Sequence, residues 1–346
     1  MPINLDDSLR VDPADLPGEG VLFGSTAAMR AVRDRIERVR LGDQSVLIQG
    51  ESGTGKELIA RFLHAHSTRR NGPFVRLSCA AVPLGLQERE LFGYEKGALP
   101  KAPEGRVGLV EAAVGGTLFL SEIGNMGLEL QDKLLRLLRD GSFVKVGGRE
   151  ERKARARVVC ATNVDLGEAV ASGSFRAALF DHIAAVSLQL SPLRERKSDL
   201  PRLCEYFLEK LSRQFQRSAP KLSADTIHLL KQWNWPGNLL ELKNWISRAI
   251  ILGDDEPLVT ELRRRIETLE GSADRVTRKS SRSGATERGV SGVTSALILK
   301  ALQANRWNRR KTAEELKMSY RALVSGLRSV GIPQRRRSHK GPPQTH

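Results

Sequence analysis

Ser45-Val46-Leu47-Ile48-Gln49-Gly50-Glu51-Ser52-Gly53-Thr54-Gly55-Lys56-Glu57-Leu58-Ile59-Ala60-Arg61-Phe62-Leu63 is the stretch that decides the fold. Its first five residues form an apolar β-type run, its centre is rich in glycine, and apolar residues recur at helical spacing from Leu58. A strand, a glycine loop and a Lys at a helix start together make a cradle for nucleoside triphosphates. Glycines let backbone N–H groups turn towards phosphate oxygens, and the helix dipole favours the anion. Lys56 would reach the β- and γ-phosphates. Gly50, Glu51, Ser52, Gly53, Thr54, Gly55, Lys56 and Glu57 are therefore the predicted nucleotide-binding set, with ATP as the expected ligand. One position departs from the general pattern. Glu57 follows Lys56 where a Ser or Thr hydroxyl usually holds Mg²⁺.

Further β-type runs lie outward from this loop at Phe74 to Leu77, Thr117 to Leu120, Val158 to Ala161 and Val186 to Leu190. Helical patterns separate them, such as Leu128 to Leu138, whose leucines recur on one face. This alternation predicts an α/β fold, a parallel sheet flanked by helices. From about Leu200 to Leu252 the pattern is helical only. Trp235-Pro236-Gly237-Asn238 interrupts it, and Asn238 is expected to cap the next helix. Gly271 to Gly292 is rich in Ser, Gly, Arg and Thr and reads as a linker. Ala296 to Ile332 is helical again, and the basic, proline-containing end from Pro333 is expected to be disordered.

Composition narrows the function classes. The chain has 346 residues, 40% of them hydrophobic and 5% aromatic, enough for an α/β core with few large aromatics. No apolar run approaches the roughly 18 residues of a membrane span, and the start lacks the blocks of a signal peptide. Cys79, Cys160 and Cys204 have no paired spacing. They read as buried thiols in a reducing cytosol, not as a metal site. The net charge of +16 favours a polyanionic partner, most simply DNA or RNA, over a merely soluble basic surface. Arg263 to Arg265, Arg309-Arg310-Lys311 and Arg335 to Arg337 concentrate that charge in the C-terminal third.

Several ordered motifs resemble the AAA+ module of bacterial enhancer-binding proteins, the sigma-54-dependent activators. The resemblance runs from about Phe23 to Gly253. It is carried by Gly50 to Glu57, Glu90 to Ala98, Gly115 to Gly124, Val146-Gly147-Gly148, Ala161-Thr162-Asn163, Leu193 to Arg196 and Trp235 to Asn238. It implies a sheet subdomain over 23–195, a helical lid over 196–255 and a linker over 256–292, after an N-terminal arm of residues 1–22. It also assigns roles. Glu122 is the expected general base, Asn163 the polar sensor and Arg176 an arginine finger acting on a neighbouring subunit. Read only as local structure, Glu122 is a strand-end acid, Asn163 a turn cap and Arg176 a helix-surface cation.

The departures from that family bear on function. Its sigma-contacting loop usually reads Gly-Ala-Phe-Thr-Gly-Ala; here it is Gly97-Ala98-Leu99-Pro100-Lys101-Ala102. The aromatic and the Thr-Gly tip are gone, and Pro100 fixes φ, so a sigma-54 contact is not expected. The second nucleotide motif usually ends Asp-Glu; here it ends Ser121-Glu122, which removes a charge next to the expected Mg²⁺. No metal ligands are assigned. Ser78 replaces the Asn that pairs with the catalytic Glu, His182 stands at the second finger position, and Leu240 stands where a sensor arginine is expected. Together these predict weak hydrolysis, since a finger alone is worth several orders of magnitude in rate.

The C-terminal module, 293–332, resembles the Fis-type helix-turn-helix that ends many such activators. Asn308 to Leu316 reads as its first helix, Ser319 as a cap and Tyr320 to Arg328 as the recognition helix. The resemblance places Tyr320, Arg321, Ser325 and Arg328 at the DNA, with Arg309, Arg310 and Lys311 gripping phosphate. The expected protein is a cytoplasmic DNA-binding transcription regulator that self-associates, with RNA polymerase as a further candidate partner. The arm is too short for a sensory domain, so control is expected from a partner protein, a diffusible ligand or expression level. Two alternatives stay open: an active sigma-54-dependent ATPase, and a sensor holding a cyclic dinucleotide or another ligand in the relaxed nucleotide site.

Overall fold

Five parallel strands carry the predicted β-runs: β1 (Val46–Gln49), β2 (Phe74–Ser78), β3 (Thr117–Ser121), β4 (Arg157–Thr162) and β5 (Val186–Gln189). They lie in the order β2-β3-β4-β1-β5. Val46 pairs with Val159 on one side and Val186 on the other, and Thr117 sits between Phe74 and Arg157. The computed structural model describes residues 10–98, 104–268 and Thr312. Two units divide the chain, Met1–Ile266 and Glu267–His346. The loop tip Leu99 to Ala102, most of the linker and the whole helix-turn-helix apart from Thr312 lie outside the described residues.

Alternation along the strands sends side chains to two cores. Leu47, Leu118, Leu120 and Cys160 meet Leu130, Leu134 and Leu137 of α3 (Leu128–Asp140). On the other face, Val46, Ile48, Phe119 and Val159 meet α1 (Ala27–Val39) and α2 (Lys56–Ala65) through Val32, Ile36, Ile59 and Leu63. Burying each such Leu or Ile contributes about 2 kcal/mol, so the leucine spacing of α3 fixes which face it presents. A short helix α4 (Ala177–Ile183) packs on α3, and its Leu179 and Ile183 are fully buried. All three cysteines are free and buried. Burial pushes the Cys79 and Cys204 thiols up to about 12.

A third core holds the helical lid together. Leu203 and Phe207 of α5 (Leu200–Phe215), Leu230 of α6 (Ala224–Gln232) and Ile246 of α7 (Asn238–Leu252) surround Trp235. Ser223 caps α6 by accepting from the Thr226 N–H. Asn238 does not cap α7 as the sequence suggested. It is fully buried at φ +53, and its amide is used in long-range contacts described below. The segment read as a loose arm is packed from its first described residues onward. Val11 and Leu22 are buried against the α1–α2 core, and Asp12 caps the turn Pro13–Asp15.

Candidate nucleotide cleft

The loop after β1 is shaped by Gly53 at φ +78 and Gly55 at φ +100, both left-handed. Gly55 leads straight into α2, whose first turn has no side-chain cap, so its N–H groups are left for a ligand. Lys56 opens that helix and is almost buried. Its Nζ donates to Gly50 O at 2.8 Å and Glu51 O at 3.2 Å, and lies 3.5 Å from Glu122 Oε1. Burial lowers the Lys56 pKa, while Glu122 acts in the opposite direction.

Glu122 follows β3 directly, at φ +52, a conformation that costs an L-residue energy and aims the side chain at the loop. Its Oε2 accepts from the Asn163 backbone N–H at 3.3 Å. Parallel pairing of β3 with β4, and of β4 with β1, places Gly50, Glu122 and Asn163 together just past the C-terminal ends of three neighbouring strands. A cleft of about 750 Å³ opens there, lined by Ser52, Gly53, Gly55, Lys56, Ser78, Ser121 and Glu122 from the sheet subdomain. Leu239, Leu240 and Lys243 of α7 line it from the lid, and Val11 and Leu16 from the N-terminal segment.

Polar contacts tie the loop to the lid. The Glu51 carboxylate accepts from Arg194 Nη1 at 2.9 Å and Nη2 at 2.6 Å, and from Asn238 Nδ2 at 3.1 Å. Arg194 holds the Glu51 carboxyl below the usual range. Asn238 Nδ2 also donates to Ser52 O at 2.9 Å, and its Oδ1 accepts from Leu193 N at 2.8 Å. The Leu239 N–H donates to Gly53 O at 3.0 Å. Thr54 Oγ1 donates to Glu51 O inside the loop.

A nucleotide fits this arrangement, with a helix start that no side chain caps, a basic side chain and an open cleft on one side of Lys56. Glu57 Oε1 is already engaged by Arg61 Nη2 at 2.7 Å and Arg76 Nη1 at 3.2 Å, and Ser121 offers only a neutral hydroxyl. Among the described residues, no cluster of three or more His, Cys, Asp or Glu is placed to hold a metal.

The remaining sequence-based candidates are scattered. Asn163 reaches Glu122 through its backbone, and its side chain is exposed. Arg176 stands outside the cleft at the head of α4, with Nε and Nη2 each 3.1 Å from the Asp132 carboxylate. Arg309, Arg310, Lys311, Ser319, Tyr320, Arg321, Ser325 and Arg328 lie outside the described residues. Sequence reasoning missed Arg194 and Asn238 as loop anchors, and Val11, Leu16 and Lys243 as cleft lining. The available signal was that Val11 and Leu16 are among several apolar residues in a start read as polar.

A phosphate-cradling loop on β1, an acid after β3 and a helical lid hydrogen-bonded to the loop together define a nucleotide-binding AAA+ module. The family model for the Sigma-54 interaction domain matches residues 22–189, and that for the AAA+ ATPase lid domain matches 194–279. A model described as bacterial regulatory protein, Fis family, matches 295–325. The chain is 41% identical over 313 residues to Regulatory protein AtoC of Escherichia coli (strain K12), covering 90% of this chain and 68% of that protein. It is 35% identical over 338 residues to the DNA-binding transcriptional regulator NtrC of Rhizobium meliloti (strain 1021), covering 90% and 70%. The crystal structure of NtrX from Brucella abortus in complex with ATP aligns with TM-score 0.65 at 30% identity, over 90% of this chain and 69% of that one. The chain belongs to the sigma-54-dependent family of DNA-binding transcription regulators, with a AAA+ module and a C-terminal Fis-type helix-turn-helix. The expected loss of the sigma-54 contact gains no support from these matches, because the interaction-domain match spans the altered loop.

Proposed function

We propose that this regulator binds an adenine nucleotide in the Lys56 cleft, turns it over slowly, and uses the bound state to tune its assembly on DNA. The supporting observation is the cleft itself, where free α2 amides and Lys56 face Glu122, yet Ser121 and the Arg-bound Glu57 fill the two places for Mg²⁺ ligands. A water-polarising acid is present, and strong metal-holding groups are not. ATP and ADP complexes of NtrX, 30% identical to this chain, make an adenine nucleotide the first ligand to test. In the C-terminal module, which would bind double-stranded DNA, Tyr320, Arg321 and Ser325 would meet base edges or phosphates in the major groove, and Arg309, Arg310 and Lys311 the phosphates. Leu99-Pro100-Lys101 in place of the family's loop tip supports action without remodelling sigma-54 polymerase.

The kept Glu122 and the interaction-domain match favour a second reading, an active sigma-54-dependent ATPase. Steady-state ATP hydrolysis with Mg²⁺ and DNA, at concentrations that allow ring assembly, separates the two. Lys56→Ala serves as the blank. Turnover at the level of the blank supports the slow regulator, and turnover well above it supports the ATPase.

A further inference from the structure

The lid wall of the cleft carries an unused cation. Leu239, Leu240 and Lys243 of α7 all line the cleft, and Lys243 lies one helical turn beyond Leu240. Leu240 is 54% exposed and offers a phosphate no polar atom. Most cations around the cleft are already engaged. Lys56 holds two loop carbonyls and Glu122, and Arg61 holds Glu57. Lys210 donates to Asp15 O and Tyr206 OH. Among the described residues only Arg10 and Lys243 line the cleft with a side-chain cation that has no hydrogen bond or ion pair.

These two differ in how firmly they are placed. Arg10 begins the described chain. Lys243 rides on α7, whose Leu242, Trp245 and Ile246 are buried in the lid core, so its backbone is fixed and its ammonium free. Lys243 also borders an adjoining apolar recess of about 160 Å³, walled by Leu58, Ile59, Leu203 and Phe207. It therefore stands where an apolar ligand part would end and a charged part begin. A triphosphate brings a large negative charge to the cleft, which bound cations must offset. A charge-assisted contact from the lid would supply part of that offset.

We propose that Lys243 is the lid's phosphate-binding cation, so that Lys56 and Lys243 meet the polyphosphate from opposite walls. This rests on the nucleotide reading above. It gives the lid a direct stake in the ligand's charge, and ATP would draw α7 towards the loop more strongly than ADP.

The test is calorimetric titration of ATP, ADP and adenosine into the full chain and its Lys243→Gln, Lys243→Arg and Lys56→Ala variants. Lys243→Gln is expected to weaken ATP binding about tenfold and ADP binding less. Adenosine binding should be unchanged, and Lys243→Arg should restore ATP affinity. If Lys243→Gln binds ATP within about twofold of wild type while Lys56→Ala abolishes binding, Lys243 is not the lid cation and the nucleotide reading stands. Equal loss for adenosine and ATP would mean a structural role and overturn the assignment. If the wild-type chain binds no ATP, or Lys56→Ala binds it as well as wild type, the nucleotide reading falls and the proposal with it.

Discussion

The Lys56 ammonium lies 3.5 Å from the Glu122 carboxylate, so the cation meant for phosphate and the acid that would polarise water hold each other. Lys56 is shielded and Glu122 only partly exposed, so the attraction is less screened than in a surface pair. A phosphate entering the cleft must compete with Glu122 for that ammonium. Glu122→Gln keeps the shape and removes the charge. Calorimetric titration should then show ATP binding several-fold tighter, with no gain in phosphate release. Unchanged ATP affinity would mean that the pair does not restrain Lys56.

Asn238 is worth more to the fold than its surface-like sequence context suggests. Its buried amide satisfies the Leu193 N–H, the Ser52 carbonyl and part of the Glu51 carboxylate. Asn238→Ala strands the first two and leaves an alanine at φ +53, a loss of about 3 kcal/mol. Arg194→Ala removes a bidentate but exposed, solvent-screened pair to Glu51, a smaller loss. Urea unfolding of the two variants should rank them in that order.

Gly53 and Gly97 share φ +78 but differ in what surrounds them. Among the described residues a Cβ on Gly97 meets nothing within 4 Å, so Gly97→Ala adds left-handed strain of about 1 kcal/mol. A Cβ on Gly53 would come within 2.3 Å of Gly237 O. Backbone cannot swing aside as a flexible side chain can, so Gly53→Ala must push the lid from the loop. It should be the less stable of the two in thermal unfolding, and it alone should lose ATP binding.

His64 gives the fold an acid limit. Burial, opposed by a backbone hydrogen bond at Gly72 and joined by the nearby Arg157 cation, brings its pKa down to about 4. Its Nδ1 lies 2.9 Å from Thr117 Oγ1, and its ring packs on Phe74. Because the folded value is depressed, the neutral ring's contribution is complete above the ordinary 6.5 and is lost as pH falls towards 4. The gap corresponds to about 3 kcal/mol. His64→Asn keeps a polar atom near Thr117 and removes the titration. Denaturant unfolding from pH 7 to pH 4 should therefore show a smaller drop for His64→Asn than for wild type.

Features with local causes were legible in the sequence. Gly53, Gly55 and Lys56 read correctly as a loop opening a helix, because glycine freedom and the helix start are properties of adjacent residues. The five β-runs and the Leu130, Leu134 and Leu137 stripe were likewise legible, since burial imposes its period on the chain. Asn238 was not legible. The local pattern suggested a cap, and its real partners are 45 residues away at Leu193 and 187 away at Glu51. Glu57 was noted as a missing hydroxyl, but its capture by Arg76 depends on β2 lying beside α2. Val11 looked like part of a loose arm because a single apolar residue has no period to betray its burial.

Ser121 ends β3 beside Glu122 and lines the cleft with a neutral hydroxyl. A carboxylate there would face the space where phosphate charge and a divalent cation meet. In wild type the cation has no strong protein anchor, so nucleotide affinity should change little when Mg²⁺ is replaced by EDTA. Ser121→Asp adds the charge in place, on a strand whose backbone is fixed on both sides by β2 and β4. The variant should bind ATP more weakly in EDTA, where the new carboxylate repels phosphate, and regain affinity with Mg²⁺. Its Mg²⁺-dependent turnover should rise about tenfold or more, since Glu122 is already present to polarise water. Titrations with and without Mg²⁺, paired with phosphate-release rates, check both effects. A Ser121→Asp variant that becomes Mg²⁺-dependent in binding but stays slow would place the remaining defect away from the metal, with Arg176, which Asp132 holds outside the cleft, the first candidate.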